Sequence, residues 1–275
     1  MKVRFGLAVF VLIMVAAPVF AQEAAMAPKG MSDVRNLEAG FPTQSVDTMT
    51  VPQGKFGFGL SMGYLNAKGG GIDDVLGPVV PAVNYGILPN LQLMFTMPLT
   101  IGEGKINGGN LIYGNTTYSA NLDTDWGFMW RINEETEYLP SFGLELSTKA
   151  PTGYGATGWN GTALGVASKT FGQLRTFVNA AITTIGKDLG GQNHVDSYLL
   201  GADYPVMDNM DLIVDVFTSQ STFSSLDEQR INVAEVGARY ALSDCDTVSA
   251  GVGLGFGPGA ATPDFTVTVA YERAM

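Results

Sequence analysis

From Lys55 onward, apolar side chains recur at every second position in runs of about ten residues, and no convincing helical spacing interrupts them. Period two sends successive side chains to opposite faces of an extended strand. Phe56, Phe58, Leu60, Met62 and Tyr64 thus share one face, while Lys55, Gly57, Gly59, Ser61 and Gly63 share the other. Twelve such runs start near Lys55, Val79, Asn90, Leu122, Glu137, Thr162, Gln173, Asp196, Asn209, Arg230, Cys245 and Asp264. Tilted strands of roughly 9–11 residues cross a bilayer. The pattern therefore predicts an all-β chain, a single antiparallel transmembrane barrel of about twelve strands.

The connections separate this from a secreted β-sandwich, which also alternates. Short turns at Leu88-Pro89-Asn90, Asn133 to Thr136, Phe171-Gly172-Gln173, Met207-Asp208-Asn209 and Leu242-Ser243-Asp244 take turns with longer segments over 66–78, 100–121, 151–161, 185–195, 219–229 and 257–263. Outer-membrane barrels alternate short periplasmic turns with longer external loops in this way. Phe56, Tyr85, Tyr138, Tyr204, Tyr240 and Tyr271 then fall near the periplasmic strand ends, as an aromatic girdle at the lipid headgroups. A sandwich needs neither feature.

Composition removes other classes. The chain of 275 residues is 46% hydrophobic and 15% charged, with 35 Gly, which excludes a charged disordered tail or a coiled coil. A net charge of −11 and a pI near 4.4 argue against nucleic acid, whose phosphates call for clustered Lys and Arg. One Cys and one His rule out a disulfide framework and most zinc or haem sites, so neither cofactor nor metal is expected. Lys2 and Arg4, the apolar run Phe5 to Ala17, and Val19-Phe20-Ala21 read as a secretory signal over 1–21. Its removal would take the formal charge from −11 to −13, since Lys2 and Arg4 are the only charges it holds. Residues 22–54 lack alternation and are expected to form a periplasmic segment or a partial plug, ahead of a barrel over 55–275.

If the bulky face meets lipid, the other lines the interior. It collects Asp123, Asp125, Glu145, Asp203, Asp211, Asp215 and Glu235 with Arg131, Lys149, Lys169, Arg175 and Arg239, many of them expected to pair across strands. Met94, Met129, Leu139, Phe177, Leu199, Ile213 and Phe217 share that face, a mixed lining suited to small amphiphilic solutes. Twelve strands lie between the side-chain-filled eight-stranded type and wide porins, so a narrow pore, a plug or neither fits.

Other motifs carry less. Gly251 to Gly257 imitates a dinucleotide loop but sits within an alternating strand with no helix after it. His194, Asp196 and Ser197 invite a lipid-hydrolase reading, yet neighbours in a strand point in opposite directions. Asp73-Asp74 and Asp227-Glu228 are acidic pairs that could bind Ca²⁺ or bridge lipopolysaccharide through cations, with ordinary solvated loops as the alternative.

Asn36 to Thr43, then Val51-Pro52-Gln53-Gly54 leading into the first strand, resembles the opening of the outer-membrane proteins grouped as the phenol-degradation meta-pathway family. Lys149 to Gly153, Asp203 to Val206, Val236 to Tyr240 and Pro263-Asp264-Phe265 are similar in style, so the resemblance spans nearly all of the mature chain. One departure is the end, where Glu272-Arg273-Ala274-Met275 follows Tyr271 although such barrels commonly finish on an aromatic residue. The resemblance implies a Gram-negative outer-membrane barrel that passes hydrophobic or aromatic compounds, with no catalytic pattern. The expected function is passive uptake of small solutes; the alternative is a structural or surface-interaction barrel with a closed lumen. Expected partners are outer-membrane lipids and lipopolysaccharide, the barrel-insertion machinery and a small-molecule solute.

Overall fold

A computed structural model describes residues 48, 50–66, 75–97, 111–113, 116–118, 124–152, 158–185, 193–222, 229–257 and 264–275. The signal, most of the segment before the first strand, and the acidic pairs at 73–74 and 227–228 lie outside these residues.

Twelve strands close into one antiparallel barrel. They are β1 (Phe56–Asn66), β2 (Val75–Leu88), β3 (Leu91–Thr96), β6 (Thr124–Asn133), β7 (Ser141–Ala150), β8 (Asn160–Phe171), β9 (Leu174–Ile185), β10 (Asn193–Met207), β11 (Met210–Thr222), β12 (Gln229–Ala241), β13 (Asp246–Gly255) and β14 (Phe265–Ala274). Each begins within four residues of its alternating run. A feature that alternation does not reveal is the hairpin β4 (Leu111–Tyr113) and β5 (Thr116–Tyr118), which pair only with each other in the connection between β3 and β6. Three-residue strands are too short for a period to register.

Sequential neighbours pair around the wall, and β1 closes it against β14 from Gly57↔Ala274 to Asn66↔Phe265. At the seam the Phe56 amide donates to the Met275 carbonyl at 3.1 Å, and the Met275 amide to that of Phe56 at 2.8 Å. Closure matters because an open edge would leave unpaired N–H and C=O groups in hydrocarbon, at several kcal/mol each. A ten-residue strand such as β13 is about 33 Å long, which at a tilt near 40° spans the roughly 25 Å apolar band of such barrels.

The turns on one rim are tight: Pro89-Asn90, Gly172-Gln173 and Asp208-Asn209. Gly172 has φ +63°, a conformation that favours a residue without Cβ. The β6–β7 turn is longer than the sequence predicts, running from Glu134 to Pro140. Pro140 has no N–H for the ladder, and Asn133 fastens the turn instead. Its amide donates to the carbonyls of Pro140 (2.8 Å) and Glu134 (2.9 Å), while its side-chain oxygen accepts from the Phe142 amide (3.2 Å). Tyr138 and Leu139 therefore stand in the turn, exposed, and not in a strand.

Candidate functional site in the barrel lumen

The two faces separate as alternation requires. Outward residues form the apolar belt, among them Leu60, Leu93, Phe128, Leu200, Val214 and Leu254. Their inward neighbours are almost all buried, and Met129, Leu164, Ile213, Val195 and Val233 are each 2% exposed or less. Met94, Met129, Leu164, Val166 and Ala181, contributed by β3, β6, β8 and β9, pack into one cluster that makes an apolar waist. On the adjoining β9–β10 pair, Phe177 lies over Gly201, where an added Cβ would come 2.2 Å from its Cε2. The glycine makes room for the ring.

Charged residues share this interior. Asp125 stands opposite Lys149 in the β6–β7 register, Asp203 opposite Arg175 across β9 and β10, and Asp211 opposite Arg239 across β11 and β12. Arg175 also donates from Nη2 to Ser168 Oγ at 3.1 Å. Arg131, at the periplasmic end of β6, donates to the Pro89 carbonyl at 3.0 Å and pairs with Glu134 at 3.3 Å. Glu145 and Lys149 are buried on β7. Asp215 and Glu235 face each other across β11 and β12, and both are buried.

A strap crosses the periplasmic mouth. Gly54, at φ +77°, turns the chain into β1 after Gln53 has bridged Gly86 of β2 in parallel. The Val51 amide donates to Gln92 Oε1 at 2.7 Å, and Thr50 Oγ1 donates to the Pro89 carbonyl at 3.0 Å. Thr48, 1% exposed, then meets Ser168 on β8 through a hydroxyl pair at 3.1 Å, four strands around the wall from β2. Gly86 permits this path, because a Cβ there would sit 2.3 Å from the Pro52 carbonyl oxygen.

Two lumen residues predicted from sequence are placed elsewhere, and a third cannot be placed. Asp123 lies outside the described residues. Leu139 is in the β6–β7 turn. Lys169 is a correction: it sits in the outward register of β8, between inward Ser168 and Thr170, and reaches back to that turn. Its Nζ donates to the carbonyls of Thr136 and Glu137 and pairs with Glu135 at 3.4 Å. The inference failed because β8 inverts the usual sizes: Leu164 and Val166 face inward while Ala163, Gly165 and Ala167 face lipid. Of the girdle, Phe56, Tyr85, Tyr204, Tyr240 and Tyr271 stand on the outer face near the short-turn rim, and the Phe56 and Tyr85 rings lie 4.6 Å apart. Tyr138, in the turn, is a correction to that set.

The sequence reading missed other groups. Glu272 is buried on the inner face of β14, in the charged tail that follows Tyr271. Gln92 and Asn84 are buried polar groups on β3 and β2 that alternation alone reveals. At the opposite rim, Tyr64 with Phe265 (5.6 Å) and Phe95 with Trp126 (4.5 Å) begin a second aromatic girdle. His194 pairs with Asp196 at 3.8 Å on the outer face of β10, while Ser197 points inward and is 4% exposed. These three do not assemble into a nucleophile with its base.

No protein-family model and no curated protein matches the chain. Solved structures do. The NanC porin is 7% identical with a TM-score of 0.55, over 78% of this chain and 98% of that one. An anion-selective porin from Comamonas acidovorans is 14% identical with a TM-score of 0.42, over 80% and 98%. The outer membrane protein OmpT of Vibrio cholerae is 9% identical with a TM-score of 0.43, over 80% and 97%. At such identities the NanC likeness speaks to fold alone. Closed wall, outward apolar belt and paired aromatic rims together make this chain a twelve-stranded β-barrel of the bacterial outer membrane.

Proposed function

We propose that the barrel is a channel of narrow bore for passive uptake of small solutes, hydrophobic and aromatic ones among them. On this reading the strap at the periplasmic mouth and the apolar cluster narrow the bore. The observation that carries the reading is the lining itself. Seven carboxylates and four cations face inward beside the Met and Leu cluster. Burying charged groups is costly even when they are paired, and an apolar filling would make a more stable scaffold. The resemblance to the meta-pathway family supplies the aromatic class. Outer-membrane lipids and lipopolysaccharide are the natural neighbours of the belt, and no catalytic role is assigned.

Planar-bilayer recording of the refolded protein, with and without the residues preceding Gly54, tests this. A small conductance that rises when the strap is deleted supports the channel, and block by neutral aromatic solutes supports the solute class. The deep burial of the lining favours a second reading, a closed structural barrel. A strapless barrel that folds but passes no current would establish that one instead.

A further inference from the structure

The described lumen holds more negative charge than its cations can match. Lys149, Arg175 and Arg239 each stand opposite a carboxylate, and Arg131 is engaged at the rim. Asp215 and Glu235 are left facing one another, 5% and 4% exposed. All four of their carboxylate oxygens are buried, and none has a hydrogen-bond partner among the described residues. Among the described residues, neither group forms an ion pair.

Among the described residues, the adjoining strand positions bring no positive charge to the pair. The next inward positions on β11 are Ile213 and Phe217, and on β12 Val233 and Gly237. Flanking strands offer Gly201 on β10 and Gly253 on β13, directly beside the pair in register. One inward step from Gly201 lies Asp203, another acid. The nearest cation on the same hairpin, Arg239, is four residues along β12 from Glu235, about 13 Å, and faces Asp211. Beyond Gly253, Thr266 brings a hydroxyl near the pair: a Cβ on Gly253 would lie 2.5 Å from Thr266 Oγ1 and 3.6 Å from Glu235 Oε2.

Two carboxylates buried side by side without donors are compensated either by a proton held between them or by a positive charge from outside the protein, and a lumen open to solutes can supply the second. We propose that Asp215 and Glu235 form a cation subsite of the lumen, taking a metal ion or the ammonium end of a solute. It confers preference for cationic over anionic passengers. This deepens the channel reading and rests on it where permeation is concerned. It also narrows the solute class, because an aromatic acid would meet like charge here while an aromatic amine would meet both the carboxylates and the Phe177 ring beside them.

The test uses the full mature protein, refolded, in a planar bilayer under a KCl gradient. The wild type should reverse at a potential showing several-fold preference for K⁺ over Cl⁻, and Asp215→Asn with Glu235→Gln should bring that ratio close to one. Phenethylammonium should block the wild type more strongly than benzoate, and the double variant should lose the difference. A wild type that prefers Cl⁻, or an unchanged ratio in the double variant, overturns the proposal. Absence of all current defeats the channel reading alone. The subsite is then judged by thermal unfolding in detergent at constant ionic strength. CaCl₂ or phenethylammonium should raise the wild-type midpoint relative to a bulky quaternary ammonium salt and leave Glu235→Gln unmoved. Equal responses of the two proteins overturn the subsite. A barrel altered at Asp73, Asp74, Asp227 and Glu228 should keep the wild-type response, which separates Asp215 and Glu235 from the other acidic pairs of the sequence.

Discussion

Lys169 shows how a single residue is decided by register when its type points elsewhere. A lysine in a barrel strand invites a place in the lumen, yet here it secures the β6–β7 turn from outside. Glu135 completes the fastening by accepting from the Thr170 amide at 2.8 Å and its hydroxyl at 3.0 Å. Lys169→Met should therefore lower stability by about 1 kcal/mol, since the group is partly solvated, and leave ion selectivity untouched. Urea unfolding in vesicles reads the first and reversal potential the second. A selectivity change as large as that of Glu235→Gln would return Lys169 to the lumen. Asp125, Glu145, Arg131, Lys149, Arg175, Asp211, Asp215, Glu235 and Arg239 were legible because bulky neighbours on their strands do face lipid. On β8 that size rule inverts, and composition gives no warning.

At the scale of elements, the strands were legible and the strap was not. Period two survives in sequence because lipid on one side and packed lumen on the other impose it residue by residue. The strap answers only to local partners, Gln92, Pro89, Gly86 and Ser168, scattered over three strands and a turn. Likewise the β6–β7 turn escaped because alternation continues through Tyr138 and Pro140 into β7 while Asn133 holds the backbone out of the ladder. Gly86→Ala tests the strap directly, since its new carbon would collide with backbone at Val51 and Pro52, which cannot swing aside as a side-chain tip could. In a Cys245→Ser background, a cysteine placed by Val51→Cys should be silent to a water-soluble maleimide. Adding Gly86→Ala should raise its labelling rate at least tenfold and cost about 1–3 kcal/mol of stability. Equal labelling in both would mean that the strap does not lie over Gly86.

For the whole molecule, the governing fact is that solvent is exchanged between the two faces. The outward belt is apolar toward lipid, while the inward positions mix buried carboxylates and cations with apolar side chains, so charge is gathered inside where a water-soluble protein excludes it. Leu200, midway along β10 and outward, tests this inversion. Leu200→Arg should destabilise the barrel in bilayers by about 2–4 kcal/mol, measured by reversible denaturant unfolding, and Tyr204→Arg near the rim by about 1 kcal/mol or less. Equal costs at both depths would contradict the placement of the belt. The seam where Phe56 exchanges hydrogen bonds with Met275 carries a kinetic meaning as well. Eleven of the twelve wall pairings join wall strands consecutive in the sequence, but this one joins residues about two hundred positions apart. Until it forms, the growing sheet has two raw edges, each able to template a foreign strand. The last pairing to assemble is thus the one that ends the chain's exposure to aggregation.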